Sequence, residues 1–167
     1  NQISVEVHQT SLNSSDVVFG LMLNAVEEIV PAIPGLPFRR SDNQWIEVWN
    51  QGDVSVDMSK WVFDDGVRFE FPSGTVLAPN EYSIVAGDAH AFTEAYPAVS
   101  VIGQWSGSLS RRGERLRLSD AYGNPADELY YLDDAPWPAM ADGGGSSLEL
   151  ADPRSENHLP AAWHPGK

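Results

Sequence analysis

Cysteine is absent from this chain of 167 residues. Its absence excludes a disulfide framework and a thiolate metal site. It leaves the redox compartment undecided, although an oxidising exterior is compatible with it. The fold must therefore be held together by its apolar core. With 42% hydrophobic residues, including six Trp, a single domain of this length can bury such a core without cross-links.

Positive charge is scarce: 10 Lys and Arg stand against 24 Asp and Glu, which gives a formal net charge of −14. An acidic surface repels phosphate backbones and anionic lipids, so we do not expect nucleic acid as a partner. Such a balance is typical of exported proteins and of proteins that dock on a basic partner.

Long apolar runs are missing as well. The most apolar stretch, residues 17–38, is interrupted by Asn24, Glu27, Glu28 and several prolines, so it cannot span a bilayer as a helix. The chain starts with Asn1 rather than Met, which indicates that a signal segment has been removed or that the sequence is a fragment. We expect no membrane-spanning segment and an extracytoplasmic location, in the periplasm or at the cell surface, after removal of a signal segment.

The sequence does contain many short alternating apolar runs, which are typical of β-strands. Turn residues separate them at intervals of roughly 8–12 residues, which favours an antiparallel sandwich or barrel. Strands are predicted over residues 3–8, 45–49, 54–62, 67–71, 82–86, 99–102, 114–118, 128–132 and 147–150, and one short helix over 89–96. We divide the chain into an N-terminal extension (1–42) with a Pro-rich loop, a β-sandwich (43–150) and a C-terminal tail (151–167).

Several motifs follow one another between residues 43 and 150. They include Trp45-Ile46-Glu47-Val48-Trp49-Asn50, Trp61-Val62-Phe63-Asp64-Asp65-Gly66, Phe69-Glu70-Phe71-Pro72-Ser73-Gly74, Gly113-Glu114-Arg115-Leu116-Arg117-Leu118 and Pro136-Trp137-Pro138. Their order and spacing resemble the lamin tail domain family, found in nuclear lamins and in bacterial surface or secreted proteins. The resemblance implies an all-β, immunoglobulin-like antiparallel β-sandwich. The N-terminal extension is longer and richer in proline than the family's pattern.

No residue pattern indicates catalysis. The four His are His8, His90, His158 and His164, and none of them lies in a nucleophile or zinc-binding motif. Gly107-Ser108 is not part of a Gly-x-Ser-x-Gly elbow. We therefore predict that the protein is not an enzyme and that it requires no cofactor.

Paired carboxylates raise the hypothesis of a cation site. Asp64 with Asp65, and Asp133 with Asp134 near Asp142, could supply the clustered loop oxygens that Ca²⁺ prefers. The ordered spacing of an EF-hand is absent. Solvated turn acids are the simpler interpretation, and bound Ca²⁺ is kept as the alternative.

The basic residues are unevenly placed, because Arg111, Arg112, Arg115 and Arg117 bring four of the ten Lys and Arg into seven residues. One interpretation is a solvated hairpin face that is paired with local acids such as Glu114. The other is a partner-binding patch for an acidic protein, a carboxylate or a phosphate.

Trp105, Trp137 and Trp163 lie near predicted loops or in the tail, where aromatic rings either pack into a core or offer a sugar-stacking platform. We favour packing.

The function predicted first is a non-catalytic scaffolding subunit that binds other protein subunits of a larger extracytoplasmic or envelope-associated assembly. The alternative is a carbohydrate- or cation-binding surface module, such as an adhesin or an enzyme accessory domain. A hydrolase ranks last.

Overall fold

A computed structural model describes residues 3–8, 44–110, 112–138 and 147–166, and for residues 3–8 it describes the backbone alone. These residues form twelve strands, one α-helix and a short 3₁₀ turn at Pro160–Ala162. The strands are β1 (Ile3–His8), β2 (Trp45–Asn50), β3 (Val56–Asp57), β4 (Val62–Asp65), β5 (Phe69–Glu70), β6 (Val76–Leu77), β7 (Tyr82–Ala86), β8 (Val101–Gln104), β9 (Glu114–Ser119), β10 (Pro125–Tyr131), β11 (Leu148–Leu150) and β12 (Trp163–Pro165), and the helix is α1 (Ala89–Ala95).

Two main sheets enclose the core. The larger has the order β12-β11-β1-β2-β7-β8, the smaller has the order β10-β9-β4-β5, and β3 pairs with β6 in a separate ribbon. The buried apolar residues of both sheets form one cluster. The predicted all-β sandwich is therefore confirmed.

One strand pair departs from the predicted antiparallel arrangement. β7 and β8 run parallel, and α1 connects them, because parallel neighbours need a crossover rather than a hairpin. The helix lies where the sequence predicts it. The Asp88 side chain caps its first turn by accepting hydrogen bonds from the backbone N–H groups of His90 and Ala91, as expected for an N-cap carboxylate. None of the helices in the described ranges is long and apolar enough to cross a bilayer.

β2 is buried along its whole length and on both faces. Side chains alternate between the faces of a strand, so Ile46 and Val48 point one way, and both are fully buried. Trp45 points the other way, and its ring centroid lies 5.2 Å from that of Phe92 in α1. The helix thus covers the outer face of the larger sheet at this end of β2.

The side chain of Asn50, at the end of β2, hydrogen-bonds to backbone groups of four other residues. Its amide nitrogen Nδ2 donates to the carbonyl oxygens of Val54, Leu77 and Ala78 at 2.9, 3.0 and 3.0 Å, and its Oδ1 accepts from the Gly52 N–H at 2.9 Å. The side chain has no exposed surface. Because carbonyls shielded from water need donors, the Asn50 amide satisfies acceptors in the segment after β2 and at the end of β6.

The last strand lies within the region that the sequence analysis assigned to a tail. Leu150 in β11 is the register partner of Trp163 in β12, and Trp163 is only 5% exposed. Its ring centroid lies 6.1 Å from that of Trp137, and its Nε1 donates to the Asn157 carbonyl at 2.7 Å. The larger sheet therefore extends beyond residues 43–150 at both ends, through β1 and β12.

Replacing Asn50 is expected to destabilise the fold. Asn50→Asp keeps the shape of the side chain, but a carboxylate cannot donate to the three carbonyls. We expect the free energy of unfolding, measured in urea at pH 7, to fall by about 2–4 kcal/mol. Asn124→Ala is the control. Its side chain is exposed and bonds to Asp120, where water can replace it, so the loss should stay under about 1 kcal/mol. An Asn50→Asp protein as stable as the parent would contradict this role.

Trp163→Ala tests whether β12 belongs to the core. Removing a buried Trp should lower the free energy of unfolding by about 3–5 kcal/mol. Leu159→Ala is the matched control, since Leu159 lies four residues earlier and is 49% exposed. Equal, small effects of the two substitutions in thermal melts would show that the segment is a tail.

Candidate functional site

The outer face of the smaller sheet carries most of the charged residues that the sequence analysis singled out. In β9, Leu116 and Leu118 are buried, so the alternate residues Arg115 and Arg117 face outward. This is the alternation that the sequence predicts. β4 lies on one side of β9 and β10 on the other, and both strands bring carboxylates to this face.

Arg117 is paired with Asp64. Its Nε lies 2.7 Å from Asp64 Oδ1, and the Ser119 hydroxyl donates to Asp64 Oδ2 at 2.9 Å. The Arg117 hydrogen bond, and to a lesser extent that from Ser119, lowers the pKa of the Asp64 carboxyl against the opposing effect of its partial burial. The same contact raises the pKa of Arg117. The two side chains are 27% and 30% exposed, so this pair is partly shielded from water.

Arg115 is paired with Asp65 and approaches Glu128. Its Nε lies 2.6 Å from Asp65 Oδ2, and its Nη1 lies 3.6 Å from Glu128 Oε2. The hydrogen bond from Arg115 lowers the pKa of Asp65. We call Asp64, Asp65, Arg115, Arg117 and Glu128 the charged face. Arg115 and Arg117 are therefore paired with acids, but these acids come from β4 and β10 rather than from the local Glu114 that the sequence suggested.

The remaining predicted partner-binding residues lie in the turn before β9. Arg111 lies outside the described residues. Arg112 is exposed, its backbone N–H donates to the Ser110 hydroxyl at 3.3 Å, and its side chain makes no ion pair with a described residue. A docking role for the arginines stays a prediction, with Arg112 as the member best placed for it.

The turn before β9 is fixed by hydrogen bonds that the sequence did not predict. The Tyr131 hydroxyl lies 2.8 Å from the Ser110 carbonyl and 2.9 Å from Glu114 Oε1, and Glu114 Oε1 also accepts from the Ser110 N–H. Gly113 has φ of 93°, and a Cβ there would collide with the Tyr131 carbonyl. Only glycine fits this turn.

Two of the carboxylates predicted to bind a cation are instead bonded to arginines. Asp64 and Asp65 lie in β4 and accept hydrogen bonds from arginines. In the turn after β10, Asp133 is half-buried and Asp134 is exposed, and Asp142 lies outside the described residues. Within the described ranges, no three His, Asp or Glu side chains are grouped so as to hold a metal ion. Calcium binding stays a prediction that no contact in this part of the chain supports.

The three Trp considered as a sugar platform are buried. Trp105, Trp137 and Trp163 are 3%, 6% and 5% exposed, so their ring faces are not available to a ligand. The packing interpretation is confirmed.

The most exposed aromatic side chain among the described residues is Tyr122, which is 92% exposed. It lies at the tip of the hairpin between β9 and β10. The Asp120 carboxylate braces this tip by accepting from the backbone N–H groups of Tyr122 and Asn124 at 2.8 and 2.9 Å, and from Asn124 Nδ2. The Asp-x-x-Gly-Asn-Pro turn was visible in the sequence, but the exposure of its tyrosine was not predicted.

Comparison with known protein families identifies this fold. The family model described as Lamin Tail Domain matches residues 27–133, more than half of the chain. The chain belongs to the lamin tail domain family. The family is immunoglobulin-like, which agrees with the two packed sheets and confirms the resemblance seen in the sequence.

Lamin tail domains are non-enzymatic modules of the protein-interaction type. No curated protein matches this chain. The charged face, the Tyr122 hairpin and the Trp105 packing all lie inside the residues matched by the lamin tail domain, whereas β1, β11 and β12 lie outside them.

The charged face predicts how the stability of the fold depends on pH. The pKa of Asp64 is lower in the folded protein than in the unfolded chain. The pairing with Arg117 therefore contributes fully to stability above the unfolded pKa of about 3.9. This contribution is lost as the pH falls through the lower pKa of the folded protein. Asp64→Asn should therefore reduce stability at pH 7 by about 1 kcal/mol or less. The difference in the free energy of unfolding between the parent and Asp64→Asn should become smaller below about pH 3.

The measurement is urea unfolding of both proteins between pH 7 and pH 2. Asp53→Asn, which changes an exposed carboxylate outside the charged face, is the control and should show no such convergence. A difference between parent and Asp64→Asn that stayed constant across this range would rule out the pairing.

Proposed function

We propose that this lamin tail domain is a non-catalytic interaction subunit that docks on and stabilises a larger extracytoplasmic or envelope-associated protein assembly. Membership of the family supports an interaction role. The contacts of the side chains that could take part in catalysis support a non-catalytic role. On the charged face, Arg115 and Arg117 neutralise Asp65 and Asp64. The Ser119 hydroxyl lies next to a carboxylate, but that carboxylate, Asp64, is already paired with Arg117.

The observation that carries the proposal is Tyr122 on its braced hairpin. A tyrosine that is 92% exposed presents a large apolar ring to water, and Tyr is among the residues that most often dominate interface energies. The Asp120 bonds hold the tip in one shape, so little conformational freedom remains to be lost on binding. A rigid turn with one projecting aromatic ring is suited to insertion into a pocket of a partner protein.

The charge of the chain favours a basic partner surface. A net charge of −14 steers association with positively charged proteins and opposes association with nucleic acid or anionic lipid. The absence of Cys and the acidic composition are compatible with a location outside the cytoplasm. That location forms part of the proposal.

The carbohydrate- or cation-binding alternative receives no support from the described residues, because the three candidate Trp are buried and Asp64 and Asp65 are paired with arginines.

The test is the size and composition of the native particle. The full chain with an affinity tag is expressed in its own cells, and gentle extracts are separated by size and analysed by mass spectrometry. We expect particles that contain other protein chains in fixed proportion. Tyr122→Ala should weaken this association at least about tenfold, since hot-spot residues contribute 2 kcal/mol or more.

Tyr130→Ala is the matched control, because Tyr130 is 56% exposed but lies on strand β10 rather than at the hairpin tip. It should leave the association unchanged, and both variants should melt near the parent temperature. Recovery of this chain by itself, or equal effects of the two substitutions, would overturn the proposal.

A further inference from the structure

Exposed apolar side chains are concentrated at one end of the sandwich. In the part of the chain that the structure describes, five large apolar or aromatic side chains are about half-exposed or more, namely Val54, Val76, Tyr122, Tyr130 and Leu159. The first three lie in or next to the turns 51–55, 72–75 and 120–124. We call these turns, together with 58–61 and 78–81, the loop end. Neighbouring exposed apolar groups are typical of interaction sites, whereas single scattered ones are ordinary.

Val54 and Val76 are close neighbours at the loop end. The Nδ2 of Asn50 donates to the carbonyl oxygens of both Val54 and Leu77, so these two carbonyls lie side by side. Leu77 is buried, and Val76 precedes it in β6, so Val76 points away from the core because side chains alternate along a strand. Val54 and Val76 are 50% and 52% exposed.

The hairpin that carries Tyr122 lies at the same end. A backbone hydrogen bond from Met58 to Thr75 joins the ribbon of β3 and β6 to the segment that leads into β4. The first residue of β4, Val62, is the register partner of Ser119, the last residue of β9. The hairpin between β9 and β10 begins there, with Tyr122 at its tip. Tyr122 and the two valines therefore share one end of the molecule.

Side chains hold the turns of the loop end in place. Glu81 Oε2 accepts from the Ala78 N–H at 2.6 Å, and Asp57 Oδ1 accepts from the Ser59 N–H at 2.9 Å. The Asp120 carboxylate braces the hairpin tip in the same way. Because these turns are already ordered, little conformational freedom remains to be lost when a partner binds.

The charge of the loop end is negative. Its turns and β3 contain one basic residue, Lys60, and four acidic residues, Asp53, Asp57, Glu81 and Asp120. Hydrogen bonds from Ser59 lower the pKa of Asp57, and those from Asn124 lower the pKa of Asp120, so both carboxylates are ionised at neutral pH. The exposed apolar side chains are thus set among negative charges.

We propose that the loop end is the surface through which this chain binds its partner, and that the partner is a protein that presents apolar side chains next to Lys or Arg. The inference rests on the proposed function, because it specifies where the interaction subunit docks and on what. The carboxylates repel phosphate and anionic lipid headgroups, and they complement a basic protein surface. Tyr122 supplies the aromatic anchor, Val54 and Val76 widen the apolar contact, and the carboxylates form the polar rim.

The apolar part of the loop end is tested on the native particle of the full, tagged chain. Val54→Ser combined with Val76→Ser removes apolar contact area without adding charge, so it should weaken the association at least about tenfold. Tyr130→Ala is the control, because Tyr130 is similarly exposed but is the register partner of Arg115 near the start of β9, away from the loop end. It should leave the association unchanged. Since all of these side chains are exposed, each variant should melt near the parent temperature.

The charged part is tested with two substitutions that change the net charge equally. Asp53 lies at the loop end, whereas Glu94 lies in α1 beyond the opposite end of β7, and its side chain is 72% exposed. Asp53→Lys should weaken the association about threefold or more at low salt, because it places a positive charge against a basic partner. Glu94→Lys should change it little, and added salt should reduce the difference between the two. Equal effects would show that only the overall charge matters, which would overturn the inference.

Replacing Val76 by a photoreactive phenylalanine analogue identifies what covers the loop end in cells. Irradiation should join this chain to another protein of the native particle, at a peptide that contains Lys or Arg next to apolar residues. The same replacement at Tyr130 should give no such product. A crosslink within the chain, to a second copy of it, or to a peptide without basic residues would overturn the inference.

The proposed function and the loop-end inference fail in different ways. If the chain is recovered by itself, the proposed function fails and the inference fails with it. If the particle exists and Tyr122→Ala weakens it, but the substitutions of Val54, Val76 and Asp53 have no effect, the proposed function stands and the loop-end inference is overturned.

Discussion

The pairing and burial of β2 is the constraint on which the rest of the structure depends. β1 and β7 pair with its two edges, and both of its faces are covered. A strand in this position must be largely apolar, which explains Trp45, Ile46, Val48 and Trp49, and Glu47 is its one charged member, only 2% exposed. Its end is fixed by Asn50, whose amide donates to the carbonyl of Val54 after β2 and to those of Leu77 and Ala78 at the end of β6. β1, β7 and the helix are all arranged around this strand.

Much of this fold could be predicted from local patterns. The alternation of Leu116 and Leu118 with Arg115 and Arg117 predicts one buried and one exposed face, and the structure has both. The pairing of these arginines with Asp64 and Asp65 could not be predicted, because it follows from the contact between β9 and β4, some fifty residues apart in the chain. The same limit applies to Trp163, which lies in a Pro-rich segment that resembles a tail. Its burial follows from long-range pairing with β11.

The functional conclusion follows from how the side chains are used. Residues that looked available for chemistry in the sequence, the carboxylate pair in β4 and three of the Trp, are engaged in ion pairs or core packing. Among the described residues, the most exposed aromatic side chain is Tyr122 at the tip of a braced hairpin, and the overall charge of the chain is strongly acidic. These are properties of a surface that recognises a protein, and they agree with membership of the lamin tail domain family.

The central claim is that β1, β2 and β12 belong to one cooperative body. Native-state amide hydrogen exchange of the full chain tests this most directly, because it reports the free energy of opening for each strand. We expect the slowest amides of β1 and β12 to exchange with the same free energy as those of β2, near that of global unfolding. Rapid exchange throughout β1 and β12, with β2 still protected, would contradict the account.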